Sequence, residues 1–209
     1  MAKGLSKQRV IETALKLIDE TGTKINFRDI ARELNCAHTN LYNYFDSFDA
    51  LLWEAQEAIM RQLQSSIDDN TARETEPETK LAAFFHSFVD FYLKHKGWFY
   101  LSWFEPLRSP RPKTHYDLAV STVNAMLNTL KDISRQMNNS PASEDEMKFY
   151  LHNVHSYIIG ELSIFFSGRS LIQDETQFKD YVNMYAVMIL KAFLDKSQSK
   201  NPALPLRLL

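Results

Sequence analysis

Apolar residues recur every three or four positions along almost the whole chain, which is the spacing of α-helices that bury one face. Glycine is scarce, with five residues, and all seven prolines fall where this pattern breaks. Because proline removes a backbone donor and clashes inside a helix, the prolines mark helix ends rather than helix interiors. No alternation of apolar and polar residues, the pattern of strands, competes with the helical pattern. The sequence therefore predicts an all-α protein.

The stretch Ile25–Phe45 has the most informative pattern, because it predicts two short helices joined by a tight turn. Asn26 is a suitable N-cap for the first helix, and Asp29 three residues later completes a capping box. Asn35 follows this helix and is a residue type that tolerates the left-handed backbone conformation that ends helices. A second short amphipathic helix closes the stretch over residues 37–45. Helices joined by so short a turn cross at a steep angle, which is the helix-turn-helix geometry.

The chain is expected to hold two domains. A helix that begins at Ser6 and ends at Gly22 precedes the helix pair, and together they form a predicted three-helix domain over residues 1–46. A hydrophobic core this small gives only marginal stability on its own, so the domain needs support from the rest of the chain. Residues 47–209 form a predicted larger helical domain.

The larger domain is predicted to consist mainly of long helices separated by polar or proline-rich loops. Gly97 is expected to break the helix that begins at Pro77, and a short aromatic helix follows over residues 98–104. The proline-rich stretch 105–114 is expected to be a mobile loop. Further helix starts are predicted at Ser47, Ser143 and Asp174.

Length and composition narrow the class of protein. The chain has 209 residues, 44% of them hydrophobic, which is ample for a buried core. No apolar run approaches the eighteen or so residues of a membrane span, and the N-terminus lacks the apolar core of a signal peptide. We therefore expect a cytoplasmic protein with no membrane partner. A single cysteine, Cys36, excludes an internal disulfide and a cysteine-rich zinc site.

Charge is distributed unevenly, although the net charge is only −2. Residues 1–45 hold seven Lys and Arg against five Asp and Glu, and the remainder holds 17 against 21. A mildly basic N-terminal region is expected if only this part of the chain contacts phosphates. The bias is small and does not by itself establish nucleic-acid binding.

The second helix of the pair is interpreted as the one presented to the major groove of double-stranded DNA. Its polar and aromatic side chains can reach base edges and phosphates, and the start of the preceding helix offers N–H groups to phosphate. Any compact helical protein can also contain two helices joined by a short turn, so this pattern alone leaves that alternative open. The candidate DNA contacts are Asn26, Arg28, His38, Thr39, Asn40, Tyr42, Asn43 and Tyr44.

Residues from about Lys7 to Leu52 resemble the DNA-binding domain of the tetracycline-repressor (TetR) family of bacterial transcriptional regulators. The resemblance rests on Ala14 with Gly22, on F-R-D-I-A in the second helix, and on L-Y-N-Y-F followed by A-L-L. It implies a ligand-responsive homodimeric repressor that binds a near-palindromic operator. It also implies that residues 47–209 form an effector-binding and dimerisation domain.

Three positions depart from the pattern of that family. Asn35 replaces the usual turn glycine, and Ala37 replaces a serine-type cap, a loss of typically about 1 kcal/mol. Phe48 stands where family members commonly have a lysine that contacts a phosphate. Loss of one phosphate contact weakens DNA binding and lowers the salt slope by roughly one unit. Cations that can compensate are Lys3, Lys7, Lys24 and Arg28.

The last two helices are apolar on more than one face, so both sides must be covered. A monomer with two central helices satisfies this pattern, whereas the TetR resemblance implies a dimer through a four-helix bundle of these helices. A stripe of small residues on the first of them allows close helix approach. The candidate interface residues are Ser156, Gly160, Ser163, Ser167, Tyr181, Tyr185 and Met188.

Ten of the 26 aromatic residues lie between Phe84 and Phe104. These rings either fill the core or line a cavity for an apolar, aromatic or cationic-aromatic effector, with Glu105 or Asp90 as a counter-charge. The TetR resemblance places the effector site in this middle region. The candidate ligand contacts are Phe84, Phe88, Phe91, Tyr92, Trp98, Trp103, Tyr116, Val123 and Met126.

No convergent catalytic or metal-binding group is visible in the sequence. His86 with Asp90 and His152 with His155 have helical spacing, but neither pair has a third ligand. We therefore expect no enzyme activity, no metal and no cofactor. The alternative is a helical small-molecule-binding protein or enzyme that retains the helix-turn-helix unit without binding an operator.

Overall fold

The computed structural model describes residues 4–137 and 143–196, with side chains described up to residue 192. Every regular element in these ranges is a helix, which confirms the all-α prediction. Within residues 4–137 and 143–196, no helix combines the length and the hydrophobicity that a membrane span requires. The elements are α1 (Lys7–Thr21), α2 (Phe27–Glu33), a 3₁₀ helix (His38–Asn43), α3 (Phe48–Ala72), α4 (Pro77–Lys94), α5 (Lys96–Trp103), α6 (Lys113–Met137), α7 (Glu144–Phe166) and α8 (Glu175–Lys196).

The helix ends follow the capping chemistry that the sequence predicts. The Ser6 hydroxyl accepts the N–H of Arg9 at 3.2 Å and starts α1. Gly22 ends that helix with φ of 87°, a conformation that other residues rarely adopt. At the start of α7, Ser143 and Glu146 exchange both hydrogen bonds of a capping box. These ends are therefore set by local sequence.

Contacts divide the chain into two compact units. The first comprises residues up to Gln62 together with Lys94–Val120, and the second comprises Leu63–Leu93 with the residues from Ser121 onward. This division does not coincide with the predicted boundary between residues 46 and 47, because α5 and the first part of α3 pack with the N-terminal helices. A functional boundary between a DNA-binding and an effector-binding domain remains a prediction.

Gly97 is a close-packing residue and not the helix breaker that the sequence suggested. It is the second residue of α5, and α4 ends before it at Lys94. A Cβ atom on Gly97 would overlap the backbone carbonyl of Ile18 in α1. Glycine is therefore required because two helix backbones meet at this point.

Polar contacts fix α5 on α1 around this glycine. Nδ1 of His95 lies 2.6 Å from a carboxylate oxygen of Asp19. The His95 ring also stacks on Trp98, with 3.8 Å between ring centroids. The indole N–H of Trp98 donates to the carbonyl of Leu15 at 2.9 Å. These contacts make α5 part of the first unit, although it follows α4 in the chain.

The loop after α5 is held by α3, contrary to the expectation of a mobile segment. One carboxylate oxygen of Asp49 accepts the backbone N–H groups of Arg108 and Ser109, each at 2.7 Å. The indole N–H of Trp53 donates to the Ser109 hydroxyl at 2.9 Å. The loop is therefore anchored at three points by two side chains of one helix.

The second unit is built on apolar packing among α4, α7 and α8. The rings of Phe165 and Phe178 stack with centroids 4.1 Å apart, and this contact joins α7 to α8. The imidazole of His155 stacks on Phe88 of α4 with centroids 4.8 Å apart. The largest fully buried side chains of this unit include Phe84, Phe85, Phe88 and Phe178. Aromatic residues therefore provide much of its core.

Candidate nucleic-acid interface

The start of α2 is closed by the capping box that the sequence predicts. The side-chain oxygen of Asn26 accepts the N–H of Arg28 at 2.8 Å, and Asp29 accepts the N–H of Asn26 at 3.0 Å. These two N–H groups are therefore already paired within the protein. The exposed guanidinium of Arg28, more than the helix end itself, is left to meet a phosphate.

The turn between α2 and the next helix depends on Asn35, which has φ of 51°. The predicted left-handed residue is therefore confirmed. The N–H of Cys36, the next residue, donates to the carbonyl of Ala31 at 2.9 Å. The Cys36 side chain is half-buried. The turn is therefore built from backbone hydrogen bonds and one residue that accepts positive φ.

Residues 38–43, which we call the recognition segment, form a 3₁₀ helix. The N–H of Asn40 donates to the carbonyl of Ala37, which makes no side-chain cap. An alanine offers no oxygen to the free N–H groups of a helix start, and hydrogen bonds three residues apart satisfy some of them instead. The predicted loss of the cap is therefore confirmed, and the segment is tighter than an α-helix.

The recognition segment is amphipathic. Leu41 is completely buried and anchors the segment in the first unit. Tyr42 is 54% exposed. The other exposed side chains of the segment are those of His38, Thr39, Asn40 and Asn43. All five exposed side chains can donate or accept hydrogen bonds, so this surface has the chemistry needed to contact base edges and phosphates.

Tyr44 differs from the other predicted DNA contacts. It is half-buried, and its hydroxyl donates to the backbone carbonyl of Leu5 at 2.8 Å. This bond fixes the chain just before α1 beside the end of the recognition segment. Only the acceptor lone pairs of the Tyr44 hydroxyl are left for another partner.

Phe48 takes part in an aromatic cluster that sequence patterns did not identify. Its ring meets Phe27 edge to face with centroids 5.4 Å apart, and Tyr42 meets Phe27 in the same manner at 5.0 Å. Phe27 is the first residue of α2 and is buried. Phe48 therefore supports the base of the recognition segment by packing, at the position where the sequence resemblance implies a lysine. Helical periodicity in the sequence could not indicate this cluster, because its three rings come from three different elements.

The cations near this surface differ in their availability. Lys7 pairs with Glu54 at 2.6 Å, and its ammonium lies 5.4 Å from the centre of the Phe45 ring. Lys24 and Arg28 are exposed, and neither side chain has a hydrogen-bond or ion-pair partner among the residues that the structure describes. Lys3 lies outside the described ranges. Lys24 and Arg28 are thus the cations most open to phosphate.

The predicted ligand contacts fall in both units and differ in burial. Trp98, Trp103 and Tyr116 belong to the first unit, and the other six belong to the second. Trp98 donates its N–H to Leu15 of α1 and stacks on His95, whereas Trp103 is 42% exposed and Tyr116 is 52% exposed. In the second unit Phe91 is half-buried and Val123 is 43% exposed. The buried members of that unit are Phe84, Phe88, Tyr92 and Met126.

Several buried polar atoms in the second unit have no hydrogen-bond partner within the described parts of the chain. They include Nε2 of His155, the hydroxyl of Tyr157 and both amide atoms of Asn183. Burial lowers the pKa of His155 to about 4, with a further contribution from His152. Burial also raises the pKa of Tyr157. Unpartnered buried polar atoms are uncommon, and a bound molecule or a second chain can supply the missing partners.

In each of the two pairs singled out in the sequence, one residue is engaged in another contact. Asp90 pairs with Lys179 at 2.7 Å, and His86 near it is exposed. His155 stacks on Phe88. No group of three or more His, Cys, Asp or Glu side chains that could hold a metal ion comes together in residues 4–137 and 143–192.

An exposed apolar surface runs along α7 and α8. Met184 is 52% exposed, Met188 is 53% exposed and Ile164 is 46% exposed. Tyr185 is 38% exposed, and its ring lies 4.6 Å from that of half-buried Tyr181. Among the predicted small residues, Ser163 is half-buried, and the exposed ones are Ser156, Gly160 and Ser167.

No protein-family model and no curated protein sequence matches this chain, whereas solved structures do. A protein of unknown function from Rhodococcus sp. RHA1 has a TM-score of 0.73 and 14% identity, over 90% of this chain and 95% of that one. The TetR-family transcriptional regulator PfmR from Thermus thermophilus has a TM-score of 0.64 and 16% identity, over 90% and 97%. A TetR variant from Acinetobacter baumannii AYE, in complex with minocycline, has a TM-score of 0.66 and 17% identity, over 95% and 98%. The chain has the fold of the TetR-family regulators, with an N-terminal helix-turn-helix and a helical C-terminal domain.

Proposed function

We propose that this chain is a cytoplasmic homodimeric transcriptional repressor that binds a near-palindromic operator in double-stranded DNA and is released by a small apolar or aromatic effector. The observation that carries the proposal is the exposed polar face of the recognition segment, held on a buried Leu41 within a TetR-type fold. Tyr42 also packs against the Phe27 ring, whereas His38, Thr39, Asn40 and Asn43 are polar and exposed and so contribute little to the core of the first unit. The face offers several hydrogen-bonding groups in one short element, as direct readout of DNA requires.

The proposed DNA contacts divide into two classes. His38, Thr39, Asn40, Tyr42 and Asn43 form the face that enters the major groove. Phosphate contacts position this face without reading sequence, and the unpaired cations Lys24 and Arg28, with the Asn26 cap near them, are suited to that role. Tyr44 acts indirectly, since its hydroxyl holds the chain at Leu5. With few phosphate contacts, the affinity should fall less steeply with salt than for a more basic regulator.

The proposed dimer forms through the exposed apolar surface of α7 and α8. Monomers rarely expose contiguous apolar patches without a functional reason. Burying the methionines and tyrosines of this surface against the same surface of a second chain would give a two-fold, self-complementary interface. Such a dimer presents two recognition segments to half-sites about 34–36 Å apart, one turn of DNA.

The proposed effector site lies in the aromatic-rich middle of the chain. Support comes from the rings of α4 and from the unpartnered buried atoms of Tyr157 and Asn183, since ligand sites combine apolar walls with a few polar groups. The A. baumannii TetR variant, which binds minocycline, has the same fold. If effector and DNA favour different dimer geometries, each weakens the binding of the other by the same factor.

A helical small-molecule-binding protein without operator binding is the second candidate. Phe48 stands where the resemblance implies a lysine, so one phosphate contact is lost, and Lys7, one of the cations that can compensate, is paired with Glu54. We favour the regulator, and propose no enzymatic activity, because the recognition segment retains its exposed polar face.

Selection of bound oligonucleotides from a random double-stranded pool tests the proposal. We expect a near-palindromic sequence whose dissociation constant rises with salt, because phosphate contacts release counterions. Absent retention at low salt, or retention that does not change across a salt series, would favour the second candidate. Compounds that release the selected DNA would then identify the effector.

A further inference from the structure

The first unit contains a cleft of about 420 Å³ that is separate from the candidate DNA contacts of the recognition segment. It is lined by residues 21–24, which form the end of α1 and the following turn, and by Tyr100, Phe104 and Glu105 at the end of α5. This volume lies within the range of small-molecule sites in proteins, about 300–1,000 Å³. We call it the α1–α5 cleft.

The backbone at both ends of the cleft is fixed. Gly22, with φ of 87°, turns the chain sharply after α1, and nothing lies within 4 Å of the place where its Cβ would be. On the other side, the N–H of Glu105 donates to the carbonyl of Tyr100 at 2.9 Å and closes the end of α5. The cleft is therefore a consequence of two ordered helix ends.

One wall of the α1–α5 cleft is aromatic. Phe104 is 50% exposed, although it lies beside Tyr100 with ring centroids 6.0 Å apart. A half-exposed phenylalanine at a concave surface gains free energy when another ring covers it, with offset or edge-to-face geometry preferred. The wall is thus suited to an aromatic ligand.

Opposite charges line the same cleft without pairing. Neither the ammonium of Lys24 nor the carboxylate of Glu105 forms a hydrogen bond or ion pair with any residue in the described ranges, so the two do not pair with each other. A ligand that carries an anionic and a cationic group beside an aromatic ring can satisfy both. An apolar ligand would make no use of either charge.

We propose that the α1–α5 cleft binds a small aromatic zwitterion of the aromatic α-amino-acid class. The ligand's carboxylate meets Lys24, its ammonium meets Glu105, and its ring packs on Phe104. This site is distinct from the proposed effector site of the second unit. Binding itself does not depend on the proposed DNA function.

One consequence does rest on the proposed function. Lys24 is also one of the two cations proposed to contact a phosphate, so a bound carboxylate would compete with DNA for it. Occupancy of the cleft should then weaken operator binding, and operator DNA should weaken ligand binding by the same factor.

Calorimetric titration of the full chain with L-tryptophan tests the site in the absence of DNA. We expect saturable binding of one ligand per chain, weakened about tenfold by either Lys24→Gln or Glu105→Gln, because each removes one charged contact. Lys16→Gln and Glu12→Gln are matched controls on the exposed surface of α1 and should bind as the unaltered protein does. Phe104→Ala should weaken binding as well.

Two single-charge analogues distinguish the roles of the two residues. Binding of tryptamine, which lacks the carboxylate, should respond to Glu105→Gln and not to Lys24→Gln, and indole-3-propionate should show the reverse. Unchanged melting temperatures of the ligand-free variants would establish that the fold is intact. Absent saturable binding of L-tryptophan, or equal binding by all variants, would overturn the proposal. Because no DNA is present, failure here is distinct from failure of the operator experiment.

Discussion

Gly97 of α5 lies directly against the backbone carbonyl of Ile18 in α1, so closely that a Cβ atom has no room. The contact joins residues far apart in sequence and unites α5 with the helices that carry the recognition segment. The Asp19–His95 and Trp98–Leu15 contacts surround it. The N-terminal helices therefore obtain from α5 the support that their own small core lacks.

Gly97→Ala should destabilise the protein by about 1–3 kcal/mol or more, because the added methyl group must displace one of two helix backbones. Chemical denaturation at fixed protein concentration measures the change. Ser102→Ala on the same helix is the control and should have a small effect. An unchanged free energy of unfolding for Gly97→Ala would show that α1 and α5 do not pack as described.

Phe48→Lys should act in opposite directions on stability and on DNA binding. Loss of the contact with Phe27 should lower the free energy of unfolding by about 1–2 kcal/mol. The new cation should tighten operator binding and steepen the salt slope by about one unit. Phe48→Leu separates the two effects, since it removes the ring without adding charge. Equal salt slopes for the Lys and Leu variants would contradict a phosphate near this position.

Met188→Glu should disrupt the proposed dimer. A carboxylate in place of a 53% exposed apolar side chain costs little in a monomer but would be buried without a partner in the interface. We expect the dimer dissociation constant to rise by about a hundredfold or more, measured by sedimentation equilibrium. Leu171→Glu, at a fully exposed position between α7 and α8, should leave it unchanged. A dimer unaffected by Met188→Glu would place the interface elsewhere.

His155 should contribute to acid sensitivity. Burial, with a smaller contribution from His152, lowers its pKa from 6.5 to about 4. Its Nε2 is buried although the residue as a whole is half-buried. Below pH 6.5 the unfolded imidazole takes a proton while the native one stays neutral, so the unfolded state binds more protons. The stabilisation is complete above pH 6.5 and is lost as the pH falls towards 4.

His155→Phe keeps a ring stacked on Phe88 and removes this titration. Between pH 7 and 5.5, its free energy of unfolding should fall less than that of the unaltered protein, by about 1 kcal/mol. A remaining slope is expected from His115, whose pKa burial and Arg111 also lower to about 4. His38→Gln, at an exposed position, is the control. Identical pH profiles for His155→Phe and the unaltered protein would contradict a buried neutral imidazole.

The features that could be predicted from sequence depend on neighbouring residues. The capping boxes at Asn26 and Ser143 and the left-handed turn at Asn35 involve groups within a few positions of each other. Helix ends therefore followed from short patterns, and helical periodicity was sufficient for the fold class. The missing cap at Ala37 was visible for the same reason.

The features that could not be predicted depend on contacts between distant elements. In the sequence, Gly97 resembles a helix breaker. Its close contact with the backbone of Ile18 is visible only in the structure. In the sequence, Phe48 indicates only the loss of a lysine. Its contact with the ring of Phe27 is visible only in the structure. The anchoring of the loop after α5 by Asp49 likewise joins positions about sixty residues apart. Such contacts become visible only in the tertiary structure.

Replacement of Tyr42 and Asn43 by alanine tests the central claim most directly. These residues lie on the exposed face of the recognition segment, and because the Tyr42 ring also contacts Phe27, the melting temperature of the double variant is measured first. The folded double variant should lose base contacts worth about 1–3 kcal/mol each. Leu171→Ala is the control, because Leu171 is fully exposed and belongs to none of the proposed sites. In a gel-shift titration with the selected operator, we predict at least about tenfold weaker binding for the double variant and unchanged binding for the control. Undiminished operator binding by the Tyr42→Ala, Asn43→Ala protein would contradict the proposed function.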